Sequence, residues 1–228
     1  MNEFIEQVVV QAETVRAELA RHPVAGLFLD TTLPIPRPYL GAGAIRLVII
    51  GQDPTVQNAA SRATIHTVLN LHKPGSLLRY LTTLCDDLGV SLRDEVYATN
   101  ACKNFWTRPP TAIEEVDVLA LSAPYWLHLL RAELDHFPDA TVISLGQPVL
   151  AMLVQDGNSR LMRDYWGYHP RWQAGEFLPM HVIEADQSTV GRRIFPFVHQ
   201  PSGAKLFYRA RWAEYVEFVR RLGSVLAV

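Results

Sequence analysis

Three polar stations stand out by residue type and by what precedes them. Gln52 and Asp53 follow the apolar run Leu47-Val48-Ile49-Ile50 through a single glycine, and Pro54 closes them off. Asn100 ends a second run, Val96-Tyr97-Ala98-Thr99, with Lys103 just behind it. His199 ends a third, Ile194-Phe195-Pro196-Phe197-Val198. An aspartate orients or deprotonates water, or stabilises a nearby cation. A histidine N–H donates to an oxygen that becomes negative as a bond breaks. A side-chain amide offers a donor and an acceptor to one planar edge, which suits an imide or a nucleobase. Asp53-Pro54 also has a plainer reading, since Asp-Pro is common turn chemistry.

The stations work together only if the chain brings the ends of these runs to one place. Short continuous apolar runs are the habit of strands buried on both faces of a parallel sheet. Four such strands are expected, at 45 to 50, 96 to 100, 141 to 145 and 194 to 198. Pro196 assigns the last to a sheet edge, and residues 180 to 183 read as an extra edge strand. Helices are expected at 3 to 21, 76 to 88, 113 to 136, 147 to 154 and 204 to 222. Ser76 reads as an N-cap and Gly89 as a stop, while Pro124 should kink or break its helix. The long loop from 51 to 75 is of a length that is usually functional. Alternating strands and helices imply an α/β three-layer sandwich around a central four-stranded, mainly parallel sheet. One domain covers 1–228, and within it 1–44 form an N-terminal helix and an extended approach segment. Right-handed crossovers put all strand ends on one rim, where open α/β sheets bind ligands. That rim would gather Gln52, Asp53, Asn100, Lys103 and His199.

Bulk composition narrows the function classes. The 228 residues are 49% hydrophobic and 19% charged, which fits a folded core and not a disordered chain. With a net charge of -2, any nucleic-acid contact must come from a local basic patch. Cys85 and Cys102 alone cannot build a cysteine-rich zinc site or hold a four-iron cluster, and they are expected as reduced thiols. Phosphate-cradling loops and the His-Glu-x-x-His metal pattern are absent, and His66 and His72 read as loop histidines. Ser202 lies near His199, but the Gly-x-Ser-x-Gly elbow of a serine hydrolase is missing. No apolar run approaches the ~18 residues of a membrane span. The acidic N-terminus does not read as a signal peptide, so a cytoplasmic location is expected.

Taken in order, Ile-Ile-Gly-Gln-Asp-Pro, Ala-Thr-Asn-Ala-Cys-Lys, Val-Ile-Ser-Leu-Gly-Gln and Phe-Val-His-Gln-Pro-Ser resemble the uracil-DNA glycosylase superfamily, over roughly residues 45 to 222. Gly51 to Pro54 resembles its water-activating motif, and His199-Gln200-Pro201-Ser202 its His-Pro-Ser motif with one residue inserted. The resemblance implies the fold just described, and hydrolysis of the N-glycosidic bond of a flipped nucleotide without metal or cofactor. Asp53 would serve water and the sugar cation, and His199 the departing base. Gln52 would offer its backbone amide to the base, and Asn100 would read the Watson–Crick edge. Pro201 and Ser202 would hold the DNA backbone. On the last helix, Lys205, Arg209 and Arg211 read either as phosphate contacts or as a solvated charged face, and Leu206 as a minor-groove wedge. The implied partner is DNA, bound by a monomer.

The departures from that pattern are specific. Thr55 stands where a tyrosine would wall off the thymine methyl group, and Val56 where a histidine follows. Leu69 falls near the position of the stacking phenylalanine. Gln200 splits the final motif. The cysteines of the iron–sulfur branch, which Thr99-Asn100-Ala101-Cys102-Lys103 otherwise resembles, are missing. Phe105, Trp106 and Tyr165 are candidate replacements for the stacking ring, although Phe105 and Trp106 read more simply as packed loop residues. Three functions follow: a DNA glycosylase for uracil or a related damaged base, a catalytically silent nucleic-acid- or nucleoside-binding member of the same fold, and a hydrolase of small nucleosides.

Overall fold

The computed structural model describes residues 2–155, 182–199 and 212–226. The expected strands form where the apolar runs lie: β3 (Leu47–Gly51), β4 (Val96–Asn100), β6 (Thr141–Leu145) and β7 (Ile194–Phe197). They pair in parallel in the spatial order β4-β3-β6-β7. Nearly every residue in them is buried, as a sheet covered on both faces requires. Among the described residues the sheet has five strands, not the expected four. The fifth is β2 (Tyr39–Leu40), supplied by the approach segment, which pairs antiparallel with β4. A separate ribbon joins β1 (Leu29–Asp30) to β5 (Phe105–Trp106). β7 lies at the opposite edge, as Pro196 implied, and Ile183 adds one antiparallel bridge to Ile194.

Helices cover both faces. Tyr97 and Thr99 point from β4 towards α5 (Val118–Asp135), and Tyr97 also lies 5.8 Å from Phe4 of α1 (Asn2–Leu19). On the other face, α3 (Ser76–Asp87) packs against α7 (Trp212–Leu226), and the 3-10 turn Val68–Asn70 packs against both β4 and α3. Three short or medium helices, α2 (Ala59–Arg62), α4 (Leu92–Glu95) and α6 (Gln147–Leu153), complete the described α-helices. No helix among the described residues is long and apolar enough to cross a membrane.

Three local expectations are corrected. Gly75, not Ser76, is the N-cap of α3. The helix expected from 113 begins at Val118, because Asp117 accepts from the N–H groups of Leu119 and Ala120 and so fixes the first turn. It then runs unbroken through Pro124. Pro124 and Ala120 are both exposed, so the carbonyl that the proline leaves without a donor belongs to the solvent side of the helix.

One polar cluster lies inside this apolar frame. Lys103 is 2% exposed and Glu133 1%. The Lys103 ammonium sits 2.5 Å from Glu133 Oε1 and donates at 2.7 Å to both Thr99 Oγ1 and the Asn100 carbonyl. Thr99 and Tyr97 hydroxyls donate to Glu133 Oε2. Lys103 is thus a core residue that ties the end of β4 to α5, and not a member of an open rim. Breaking a buried pair by removing one partner typically costs about 3–5 kcal/mol, whereas replacing both with apolar groups is often neutral. Lys103→Met should therefore lower the unfolding free energy by about that amount in urea titration, and adding Glu133→Leu should recover most of it.

Candidate functional site

β3 ends at Gly51, and two backbone hydrogen bonds carry its pairing with β4 past the strand ends. Ala101 N donates to Gly51 O and Cys102 N to Gln52 O, both at 2.8 Å. This zipper sets Gln52 and Asp53 beside Asn100 and turns the next residues outward. Asp53 Oδ1 accepts from Thr55 N at 2.7 Å, and Gln52 Nε2 donates to Asp53 Oδ2 at 2.8 Å. Thr55 Oγ1 in turn accepts from Trp106 N at 2.8 Å. The Asp-Pro turn is therefore both turn chemistry and a fixed mount for a carboxylate.

Asp53, Gln52, Thr55, Leu69 and His199 line one cavity of about 640 Å³ at the carboxyl ends of β3 and β7. That volume lies within the ~300–1,000 Å³ usual for small-ligand pockets. α3 contributes Ser76, Leu77 and Leu78 to one wall, and Pro109, Pro110 and Thr111 form another. His199 is held from two sides. Tyr80 of α3 donates to the Val198 carbonyl at 2.7 Å. Gly146, at φ +88°, passes so close that a Cβ there would lie 3.2 Å from His199 Cβ. Neither support was anticipated from sequence, since both depend on elements distant in the chain.

Asn100 sits behind this cavity. It is 1% exposed, and its Oδ1 is buried without a hydrogen-bond partner. An unsatisfied buried acceptor costs about 1–3 kcal/mol. Gly51 is the glycine that matters here, because a Cβ on it would overlap Asn100 Oδ1 and lie 2.9 Å from Leu69 Cδ2. Leu69 and Asn70 are the two non-glycine residues at positive φ among those described, 55° and 56°. For leucine that region costs roughly 1–2 kcal/mol. Asn70 also lines the cavity, and its Oδ1 too is buried without a partner.

Arg62 shows no sign of a structural role in the sequence. It is 5% exposed and donates to the carbonyls of Val56, Trp106 and Thr107. A buried guanidinium with a fork of donors can pin three carbonyls at once, so the long loop is stitched to β5. Phe105 and Trp106 are fully buried and do not reach the cavity. Tyr165 lies outside the described residues, as do Gln200, Pro201, Ser202, Lys205, Leu206, Arg209 and Arg211. Among the described residues, His199 supplies the cavity's one aromatic ring. Cys85 and Cys102 are buried and free, with burial pushing the Cys85 thiol up to about 12. No group of three metal-ligating side chains occurs among the described residues.

Burial raises Asp53 to about 6, against hydrogen bonds from Thr55 and Gln52 and the Arg62 charge, which all favour the ionised form. Burial also pushes His199 below its ordinary value, which leaves its imidazole neutral at neutral pH. A carboxylate that ionises near pH 6 and a neutral imidazole thus share one cavity. This set can orient water, face a cation and donate to a developing anion. Against known proteins, the chain matches no protein-family model and no curated sequence.

The Asp53 shift has a stability consequence with a definite sign. An aspartate titrates near ~3.9 when unfolded and at about 6 here, so the folded chain binds the proton more tightly. Stability therefore falls as pH rises from about 4 to about 6, and the whole penalty is present above that. Asp53→Asn should stabilise the fold at neutral pH by on the order of 3 kcal/mol, and the gain should vanish below about pH 4. Thermal melts of both proteins across that range measure it.

Proposed function

We propose that this protein is a DNA glycosylase that hydrolyses the N-glycosidic bond of uracil or a related damaged base. The observation that carries the reading is the pairing of an aspartate raised to about 6 with a neutral, supported histidine in one cavity at a parallel sheet's carboxyl rim. Behind them Asn100 presents an amide edge with an unfilled acceptor. In the reaction, the C1′–N bond breaks and leaves positive charge on the sugar and negative charge on the base. The His199 N–H stabilises the leaving base by hydrogen bonding, and solvent then protonates it. The Asp53 carboxylate faces the sugar cation and orients a water, whose oxygen bonds to C1′ as its proton passes to solvent. Gln52 and Thr55 border the base, and Thr55 leaves open the side that a tyrosine would wall off. Pro201, Ser202, Lys205, Leu206 and Arg209 belong to this proposal as the DNA-contacting set of a monomeric, cytoplasmic enzyme.

One observation favours the second reading, a silent nucleic-acid- or nucleoside-binding protein. Base–aromatic stacking contributes about 1–3 kcal/mol per base, and among the described residues only His199 offers the cavity a ring. A uracil-containing single-stranded oligonucleotide, scored for strand cleavage after alkali, separates the two readings. The glycosylase reading expects cleavage by the wild type, with a rising pH limb near 6 as Asp53 ionises. Asp53→Asn should lower single-turnover cleavage by at least ~10²-fold, while binding to abasic DNA survives on phosphate contacts. Full activity in Asp53→Asn removes the carboxylate from the mechanism, and no cleavage of any base by the wild type leaves the binding reading.

A further inference from the structure

The slot in front of Gly51 is shared by two groups that do not satisfy one another. Asn100 Oδ1 is buried there with no donor, and the Leu69 side chain closes over the same space with a methyl group that cannot hydrogen-bond. Leu69 lines the cavity and Asn100 does not, although both crowd the same point in front of Gly51. Its backbone is held at φ 55° and ψ 14°, where leucine is disfavoured. Strain of this kind gathers at ligand clamps and switch segments, where its release is part of the mechanism.

We propose that Leu69 is a displaceable plug that fills the recognition slot in the free protein, and that a planar heterocycle with an N–H donor edge enters by pushing it aside, so that Asn100 Oδ1 accepts from that N–H. The proposal rests on the nucleobase reading of the cavity and adds its gate. It departs from the role implied for Leu69 by resemblance, in which the residue covers the base and strengthens capture. The two roles differ in sign. A clamp contributes to binding when present, whereas a plug must be moved before binding and reduces the apparent affinity by the fraction of time it is closed. Release of the strained backbone on opening offsets part of that cost, so the plug is poised and not locked.

Leu69→Gly separates the roles, because glycine occupies the left-handed region without strain and has no side chain to fill the slot. Free uracil is the probe, titrated calorimetrically against wild type, Leu69→Gly, Leu69→Ala, and Leu69→Gly combined with Asn100→Ala, with thermal melts as the fold control. The plug predicts about tenfold tighter uracil binding by Leu69→Gly, a smaller gain of the same sign by Leu69→Ala, and loss of the gain in the double variant. Equal or weaker binding by both single variants overturns it, as does a gain that survives Asn100→Ala or no uracil binding by any variant. Wild-type cleavage of the uracil oligonucleotide is scored alongside. Cleavage without the gain would sink the plug and spare the glycosylase reading, and the gain without cleavage would do the reverse.

Discussion

Two charges without water hold the site in place. Lys103 and Glu133 are almost completely buried, and each must find partners inside the fold. Lys103 finds one in the backbone carbonyl of Asn100, and Glu133 finds two in the hydroxyls of β4. The end of β4 is thereby bolted to α5, and the zipper from Ala101 and Cys102 transmits that position to Gly51 and Gln52. The carboxylate of Asp53 and the amide of Asn100 are fixed to each other through these links. No loop of comparable length could do this alone, because a loop without buried partners pays full conformational entropy for every ordered residue.

The same logic explains the thermodynamic profile of the cavity. Asp53 is held in surroundings that disfavour its charge, Leu69 in a backbone region that disfavours its side chain, and Asn100 with an acceptor left empty. Each of these is a local penalty beside one volume, set against a continuous apolar core. Strain gathered at a functional cavity and supported by a well-packed frame is the usual trade between stability and activity.

The frame was largely readable from residue order. β3, β4, β6 and β7 announce themselves as unbroken apolar runs, and Pro196 names its own edge. Placing Gln52, Asp53 and His199 on one rim followed from crossover handedness alone, and they do meet in one cavity. What failed to show in the sequence was everything decided by contacts between distant segments. β2 is two residues long and exists only because β4 offers it an edge. Lys103 looks like a rim cation until Glu133, thirty residues on, is seen to be buried with it. Arg62 carries no local sign that three carbonyls from other segments will converge on it. The start of α5 is not legible in the sequence because Asp117 resembles any other acidic residue in an acidic stretch until its N–H partners are known.

The sheet's borders have a consequence for the life of the chain before it is folded and after it is made. A long bare edge is a template on which a second chain can lay down a strand. Here one border is only two residues long, and the other carries Pro196, which has no N–H to offer, and a bridge from Ile183. Among the described residues, neither border presents a long run of free backbone groups. The described sheet therefore offers copies of this chain, on a crowded ribosome or in a purified stock, little of the edge on which fibrous growth starts.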